Sequence, residues 1–180
     1  MNPVSDLWYF AYGSNMQAAT FRGRRGITWT RAQAGRAPGW RLVLDKPPLV
    51  PGHESFATMI PAADAETFGV LYAITADDMA HIDLTEGVLI GNYRRIEIAV
   101  EPLQSADKPV RAFTLVSDEH APELRPSARY MALLVEGAEE HSLPAAWIAY
   151  LRTVPTAVET AETAHLRAIV DASLSVLRRP

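Results

Sequence analysis

The chain has 180 residues, a net charge of −4 and a hydrophobic fraction of 48%, the range of one globular domain with enough apolar residues for a sizeable core. It has no cysteine, which excludes a disulfide framework, a thiolate zinc site and a cysteine nucleophile. The acidic balance argues against nucleic acid or an anionic membrane as the main partner. No apolar run is long enough to span a bilayer, and the first residues lack the charged-then-apolar pattern of a secretory leader. A cytoplasmic protein is the expectation.

Leu7–Ala11 predicts a short buried strand that breaks off into Tyr12, Gly13, Ser14 and Asn15. Residues 20–39 are rich in Gly and Arg, and only GITWTRAQAG within them has strand character. WRLVLD (Trp40 to Asp45) alternates and predicts a strand, followed by the Pro/Gly loop KPPLVPGHE. FATMIPA and FGVLYAI are apolar runs separated by a polar stretch, which predicts a hairpin. A helix is expected from Thr75 as N-cap, with Asp77 and Asp78 in its first turn and Gly87 as its stop. YRRIEIAVEPL and VRAFTLV predict two more strands around a turn at Ala106 to Pro109.

From Pro126 the period becomes helical, with Tyr130, Leu133, Leu134 and Gly137 on one side. Pro144 opens another helix, through Leu151. The tail reads as an amphipathic helix over about 156–178, with Leu166, Ile169, Val170, Leu174 and Leu177 as its stripe. Strands dominate to about Val116 and helices follow, an α+β order, and residues 1–180 read as a single domain.

A strand running into Gly-Ser-Asn presents successive backbone N–H groups with little side chain over them, the makings of an anion or oxyanion nest. A tight turn uses the same residues for local reasons. YGSNM is not a nucleophile elbow around Ser14. Glu86 ends a predicted helix, where a carboxylate meets the negative end of the helix dipole; it reads as a solvated helix-end glutamate or, if partly buried, as a proton-transfer base. Asp83, one turn earlier, is its rival. Tyr130 and Tyr93 read equally as core tyrosines with bonded hydroxyls. His53, His81, His120, His141 and His165 show no metal-ligand spacing. Arg22, Arg24, Arg25 and Arg31 read as a phosphate site or, more simply, as a solvated basic turn.

Taken in order, YFAYGSNM, FATMI with FGVLYAI, LTEGVLIGNYRRIEI and RPSARYMALLVEGAEEHSLPAAWIAYL resemble the γ-glutamylcyclotransferases over about Leu7 to Leu151. The resemblance implies a small mixed β-barrel flanked by helices, with a substrate cavity at the barrel mouth. It implies cyclisation of a γ-glutamyl amino acid or amine to 5-oxoproline with release of the amine, using no cofactor and no metal. Glu86 matches the family's catalytic glutamate. Tyr9, Phe10, Ala11, Tyr12, Gly13 and Ser14 match its substrate-binding loop, which Asn15 closes, and Tyr130 matches its binding tyrosine. The implied partner is a small γ-glutamyl substrate, and a homodimer is left open.

The loop reads YGSN here, in place of the YGSL of glutathione-acting branches or the YGTL of γ-glutamyl-lysine branches. FRGRRGITWTR and the tail after Pro155 fall outside the match, so the leaving amine stays open. So does the choice between carboxylate and oxyanion as the group held by the loop N–H donors. The alternative is a module that binds a γ-glutamyl or amino-acid-like ligand without turnover. A carboxylate at position 86 favours the enzyme.

Overall fold

The structure is a computed structural model that describes residues 7–50, 52–104 and 108–158. Five strands, β1 (Leu7–Ala11), β2 (Arg31–Lys46), β3 (Phe56–Ile74), β4 (Arg94–Pro102) and β5 (Val110–Val116), close into a barrel in the order β1-β3-β2-β4-β5. β1 runs antiparallel to β3, from Leu7 opposite Ile74 to Ala11 opposite Val70. It meets β5 in parallel at Tyr9 opposite Phe113, and that seam closes a mixed barrel. Among the described residues, three helices flank it: α1 (Ala76–Thr85), α2 (Ala128–Glu140) and α3 (Ala145–Thr153). The α+β barrel with flanking helices is therefore present.

Local chemistry accounts for the boundaries. Thr75 and Asp78 form a reciprocal capping box at the start of α1, and Gly87 ends that region with φ 72°, a left-handed conformation that glycine adopts without a Cβ penalty. Ser127 caps α2 by accepting the Tyr130 N–H at 3.2 Å. Gly69 sits where β3 passes β1. A Cβ there would lie 2.3 Å from the Ala11 carbonyl oxygen, so the close approach of the two strands needs glycine.

The hairpin expected between FATMIPA and FGVLYAI does not form. Both runs belong to β3, and both pair with β2. Phe56 to Pro61 faces Lys46 to Trp40, and Glu66 to Ala73 faces Pro38 to Arg31. The polar residues between them are absorbed as a register shift opposite Gly39, which has φ 78°. This stretch of β3 is largely solvent-exposed, and an exposed strand carries the same polar residues that mark a turn. GITWTRAQAG and WRLVLD likewise contribute to one long strand, β2. The tail helix expected over 156–178 lies almost wholly outside the described residues, as does half of the turn expected at Ala106 to Pro109.

The segment that sequence patterning left unassigned is held by aromatic packing. Residues 19–24 form a π-helical turn. Phe21, fully buried, lies 5.6 Å from Tyr9, 4.7 Å from Tyr72 and 5.8 Å from Trp29 between ring centroids. Such pairs contribute roughly 0.5–1.5 kcal/mol each beyond area burial, and together they fix residues 19–29 against β1 and β3. α2 is tied to the same region. The Tyr72 hydroxyl donates to the Met16 carbonyl at 2.8 Å and sits 2.9 Å from His141 Nε2. Its one proton is already used, so the imidazole N–H is the donor there.

Candidate active site

A cavity of about 1180 Å³ opens where the end of β1, the end of α1 and the start of α2 converge. Tyr9, Tyr12, Gly13, Ser14, Asn15, Glu86 and Tyr130 all line it. Phe10 and Ala11 do not. Both are buried in the core beneath the turn, with the Phe10 carbonyl accepting from Thr114 at 2.8 Å. Alternation along β1 sends the Phe10 side chain to the face opposite Tyr9, while Ala11 shares the Tyr9 face and ends in the core.

Glu86 is positioned by backbone bonds at the end of α1. Its N–H donates to the Ile82 carbonyl at 2.9 Å, and its own carbonyl accepts from Asn92 Nδ2 at 2.9 Å. The side chain is 14% exposed. Its Oε1 accepts from Asn15 Nδ2 at 3.0 Å and pairs with Arg25 Nη2 at 2.8 Å. The Asn15 amide nitrogen also contacts the Tyr9 hydroxyl at 3.2 Å.

Across the cavity, the Tyr130 hydroxyl oxygen accepts the Ala57 N–H at 3.2 Å and is hydrogen-bonded to the Ser14 backbone as well. A Cβ at Gly13 would sit 3.0 Å from that hydroxyl, so glycine keeps the turn close to the tyrosine. The Ser14 backbone is thus already engaged. Tyr130, which accepts from backbone, still has its own O–H proton to donate. Tyr12 and Tyr93 are anchored by donation to the carbonyls of Leu115 and Ala57.

Asp83 is not brought to this site. It pairs with Arg95 at 2.8 Å, and burial pushes its carboxyl pKa up while Arg95 opposes that shift. Lys46 and Asn92, which the sequence reading did not single out, line the cavity, and so do Arg25, read there as part of a phosphate site or a basic turn, and Tyr93, read as a core tyrosine. Lys46 is fully buried. It donates to the Pro47 carbonyl at 2.7 Å and to Asn92 Oδ1, over the Tyr93 ring, and burial pushes its pKa down. Asn92 therefore links Lys46 to the Glu86 backbone.

Nor is the basic stretch a simple solvated turn. Arg22 stacks on Trp29 at 4.3 Å and Arg31 on Trp8 at 4.9 Å, while Arg25 reaches Glu86. The only legible signal was the density of arginine itself. Among the described residues, no three His, Asp or Glu side chains converge as a metal site requires. With Arg24, Arg25, Lys46 and Arg129 in the lining against Glu86 as its carboxylate, the cavity suits a ligand that carries at least one negative charge.

Burial pushes the Tyr130 phenol up to about 12 and raises those of Tyr9, Tyr12, Tyr72 and Tyr93 well above the ordinary tyrosine value. The folded state therefore keeps protons that the unfolded chain loses near pH ~10. Stability from these groups is complete below that pH and falls as pH rises through it toward the folded values. Absorbance titration at 295 nm is expected to show these phenols ionising only together with loss of the near-UV circular dichroism. Ionisation of all of them near pH ~10 with the fold intact would contradict their burial.

Comparison with known proteins agrees with this geometry. The sequence model of the AIG2-like family matches residues 66–151. Gamma-glutamyl cyclotransferase aclK of Aspergillus oryzae is 34% identical over 165 residues, covering 81% of this chain and 60% of that protein. The chain thus spans about three fifths of that relative's length. The gamma-glutamylcyclotransferase of Bos taurus is 27% identical, covering 76% of this chain and 72% of its own. A solved structure titled gamma-glutamyl cyclotransferase superposes with a TM-score of 0.74 at 20% identity, covering 89% of this chain and 97% of its own, a likeness of fold. In its closed mixed barrel, its flanking helices and its sequence, the chain is similar to the γ-glutamylcyclotransferases.

Proposed function

We propose that the protein cyclises a γ-glutamyl amino acid or γ-glutamyl amine to 5-oxoproline and releases the free amine, with Glu86 as general base. The observation that carries this reading is that the Glu86 carboxylate and the Gly13–Asn15 turn line one cavity, with the Tyr130 hydroxyl close to Gly13.

The substrate's α-ammonium is unreactive until it loses a proton. Glu86 Oε takes that proton, and the freed amine attacks the γ-carbonyl carbon of its own molecule. A new C–N bond closes a five-membered ring and the carbonyl π electrons move to oxygen, where the turn backbone and the Tyr130 O–H stabilise the negative charge. Collapse of that intermediate breaks the original amide C–N bond, the leaving nitrogen takes the proton back from Glu86, and the second proton that the ring nitrogen sheds in becoming an amide passes to the released amine, which departs as its ammonium. Both reacting groups belong to one molecule, so holding them in line supplies a large share of the rate.

The relatives' names support the same reaction class. The sequence expectation of a cytoplasmic protein fits free γ-glutamyl substrates, including those of glutathione metabolism. Among the described residues, no helix is long and apolar enough to cross a membrane.

The test is a substrate panel. The pure protein is incubated with γ-glutamyl-alanine, γ-glutamyl-lysine, glutathione and γ-glutamyl-aminoglycosides, and 5-oxoproline is measured. Release from one member is expected, and its identity sets the leaving amine. No 5-oxoproline from any of them would count against the enzyme and in favour of a ligand-binding module.

A further inference from the structure

Two buried polar atoms in the cavity have no hydrogen-bond partner: Asn15 Oδ1 and Arg25 Nε. Both residues address the same oxygen, Glu86 Oε1, through Asn15 Nδ2 at 3.0 Å and Arg25 Nη2 at 2.8 Å. A carboxylate only accepts, so the Asn15 amide must turn its nitrogen toward Glu86, leaving its oxygen as an unused acceptor. On the arginine, Nε and Nη2 form one edge of the guanidinium, the edge that holds a carboxylate through two parallel bonds.

The protein fills that edge elsewhere. Arg94 gives Nε and Nη2 to the two oxygens of Asp118 at 2.8 and 3.0 Å, and Arg36 gives both to Glu101. At Arg25 only Nη2 is engaged on that edge, while Nη1 is fixed on the Thr85 carbonyl at 3.1 Å.

A spare buried donor and a spare buried acceptor beside one carboxylate are complementary to an α-amino-acid head group. That group carries an ammonium donor and a carboxylate acceptor on one carbon. Resting on the reaction proposed above, the geometry points to Arg25 as the residue that binds the substrate's α-carboxylate, with Asn15 Oδ1 sharing the α-ammonium with Glu86. The incoming carboxylate takes the Nε–Nη2 edge and draws Nη2 away from Glu86, so one carboxylate replaces another on the arginine. Glu86 then meets the ammonium in place of a guanidinium. The Nη1 bond to Thr85 serves as the pivot. With the α-carboxylate accounted for, the turn backbone and the Tyr130 O–H are left to the γ-carbonyl oxygen.

Two lactams test this without any turnover: 5-oxoproline, and 2-pyrrolidinone, which is the same ring lacking the carboxylate. Calorimetry on the whole chain is expected to show 5-oxoproline bound about 10–100-fold more tightly, the usual worth of hydrogen bonds to a charged group. Arg25→Met should bring the ratio near unity, and Arg25→Lys, which keeps the charge but not the fork, should restore only part of it. In parallel, γ-glutamyl-alanine and 4-aminobutyryl-alanine, which lacks the α-carboxylate, are compared by kcat/KM in wild type and in both variants.

A folded Arg25→Met that keeps the wild-type ratio overturns the assignment. If that variant does not fold, an Arg25→Lys protein with an undiminished ratio does so. Discrimination between the lactams without turnover of γ-glutamyl-alanine would sink the proposed reaction and support this inference. Turnover in a wild type that binds both lactams equally would do the reverse.

Discussion

Glu86→Gln is expected to lower the rate of 5-oxoproline formation by roughly 10²–10⁴, the usual worth of a positioned acid–base group. Glutamine keeps the volume. Its amide oxygen can still accept from Asn15 Nδ2 and Arg25 Nη2, the two groups now bonded to Oε1, so the architecture of the cavity survives. What it loses is the capacity to accept the ammonium proton at neutral pH. Substrate affinity should therefore change far less than turnover, a loss concentrated in the transition state.

Asp83→Asn is the matched control. Asp83 is paired with Arg95 and lies outside the cavity lining, so its loss should leave most of the activity. Single-turnover measurement of 5-oxoproline on folded variants decides the matter. A folded Glu86→Gln protein with near-wild-type turnover would show that another group moves the proton.

The Glu86 region was legible because its signals are local. Thr75, Asp78 and Gly87 declare the start and end of one helix within a dozen residues, and they place the carboxylate at its end. The turn at Gly13 to Asn15 was legible for the same reason. Arg25 and Lys46 were not. Arg25 reaches the site only because Phe21 packs against Tyr9 and Tyr72, contacts between residues far apart in the chain. Lys46 closes a strand before a proline-rich loop, and nothing in that pattern announces a buried ammonium. The length of β3 was hidden by its own exposure, since polar residues on an outward strand and polar residues in a turn look alike until the partner strand is known.

Gly137→Ala is expected to be a damaging small change that reaches the site from outside the reacting groups. In an ordinary helix interior the added methyl would stabilise by about 1 kcal/mol. Here it would lie 2.6 Å from the Gln17 nitrogen and 2.7 Å from both the Met16 carbonyl carbon and its Cβ. Two of those three atoms are backbone and cannot rotate aside. Overpacking of this kind costs roughly 1–3 kcal/mol, which outweighs the gain in helix propensity.

Relief requires α2 to back away from the turn at Ser14–Met16, or the turn to move. α2 carries Tyr130, and the turn carries Asn15. Either displacement separates groups that now meet across the cavity. A misplacement of ~1 Å is enough to cost on the order of 10²-fold in rate. The thermal midpoint should fall by about 2–4 °C for each kcal/mol lost, with kcat/KM falling alongside. An alanine variant that is both more stable and fully active would show that α2 does not press on the turn as described.

The seam between β1 and β5 also sets an order of events during synthesis. The strand that leads into the Gly13 turn has no partner until residues 70–74 have been made, and its parallel contact waits for Phe113. At ribosomal speeds of about 5–20 residues per second, the apolar stretch LWYFA is exposed for roughly 3–12 s before β3 exists, and for longer before the ring can close. Three of the five strand pairings, β1–β3, β1–β5 and β2–β4, join strands that are not consecutive in the chain, which makes for slower folding than local pairing alone. The nascent protein is therefore most exposed to aggregation or chaperone capture while its first strand is still unpaired, and ligand-binding competence can appear only after α2 has docked.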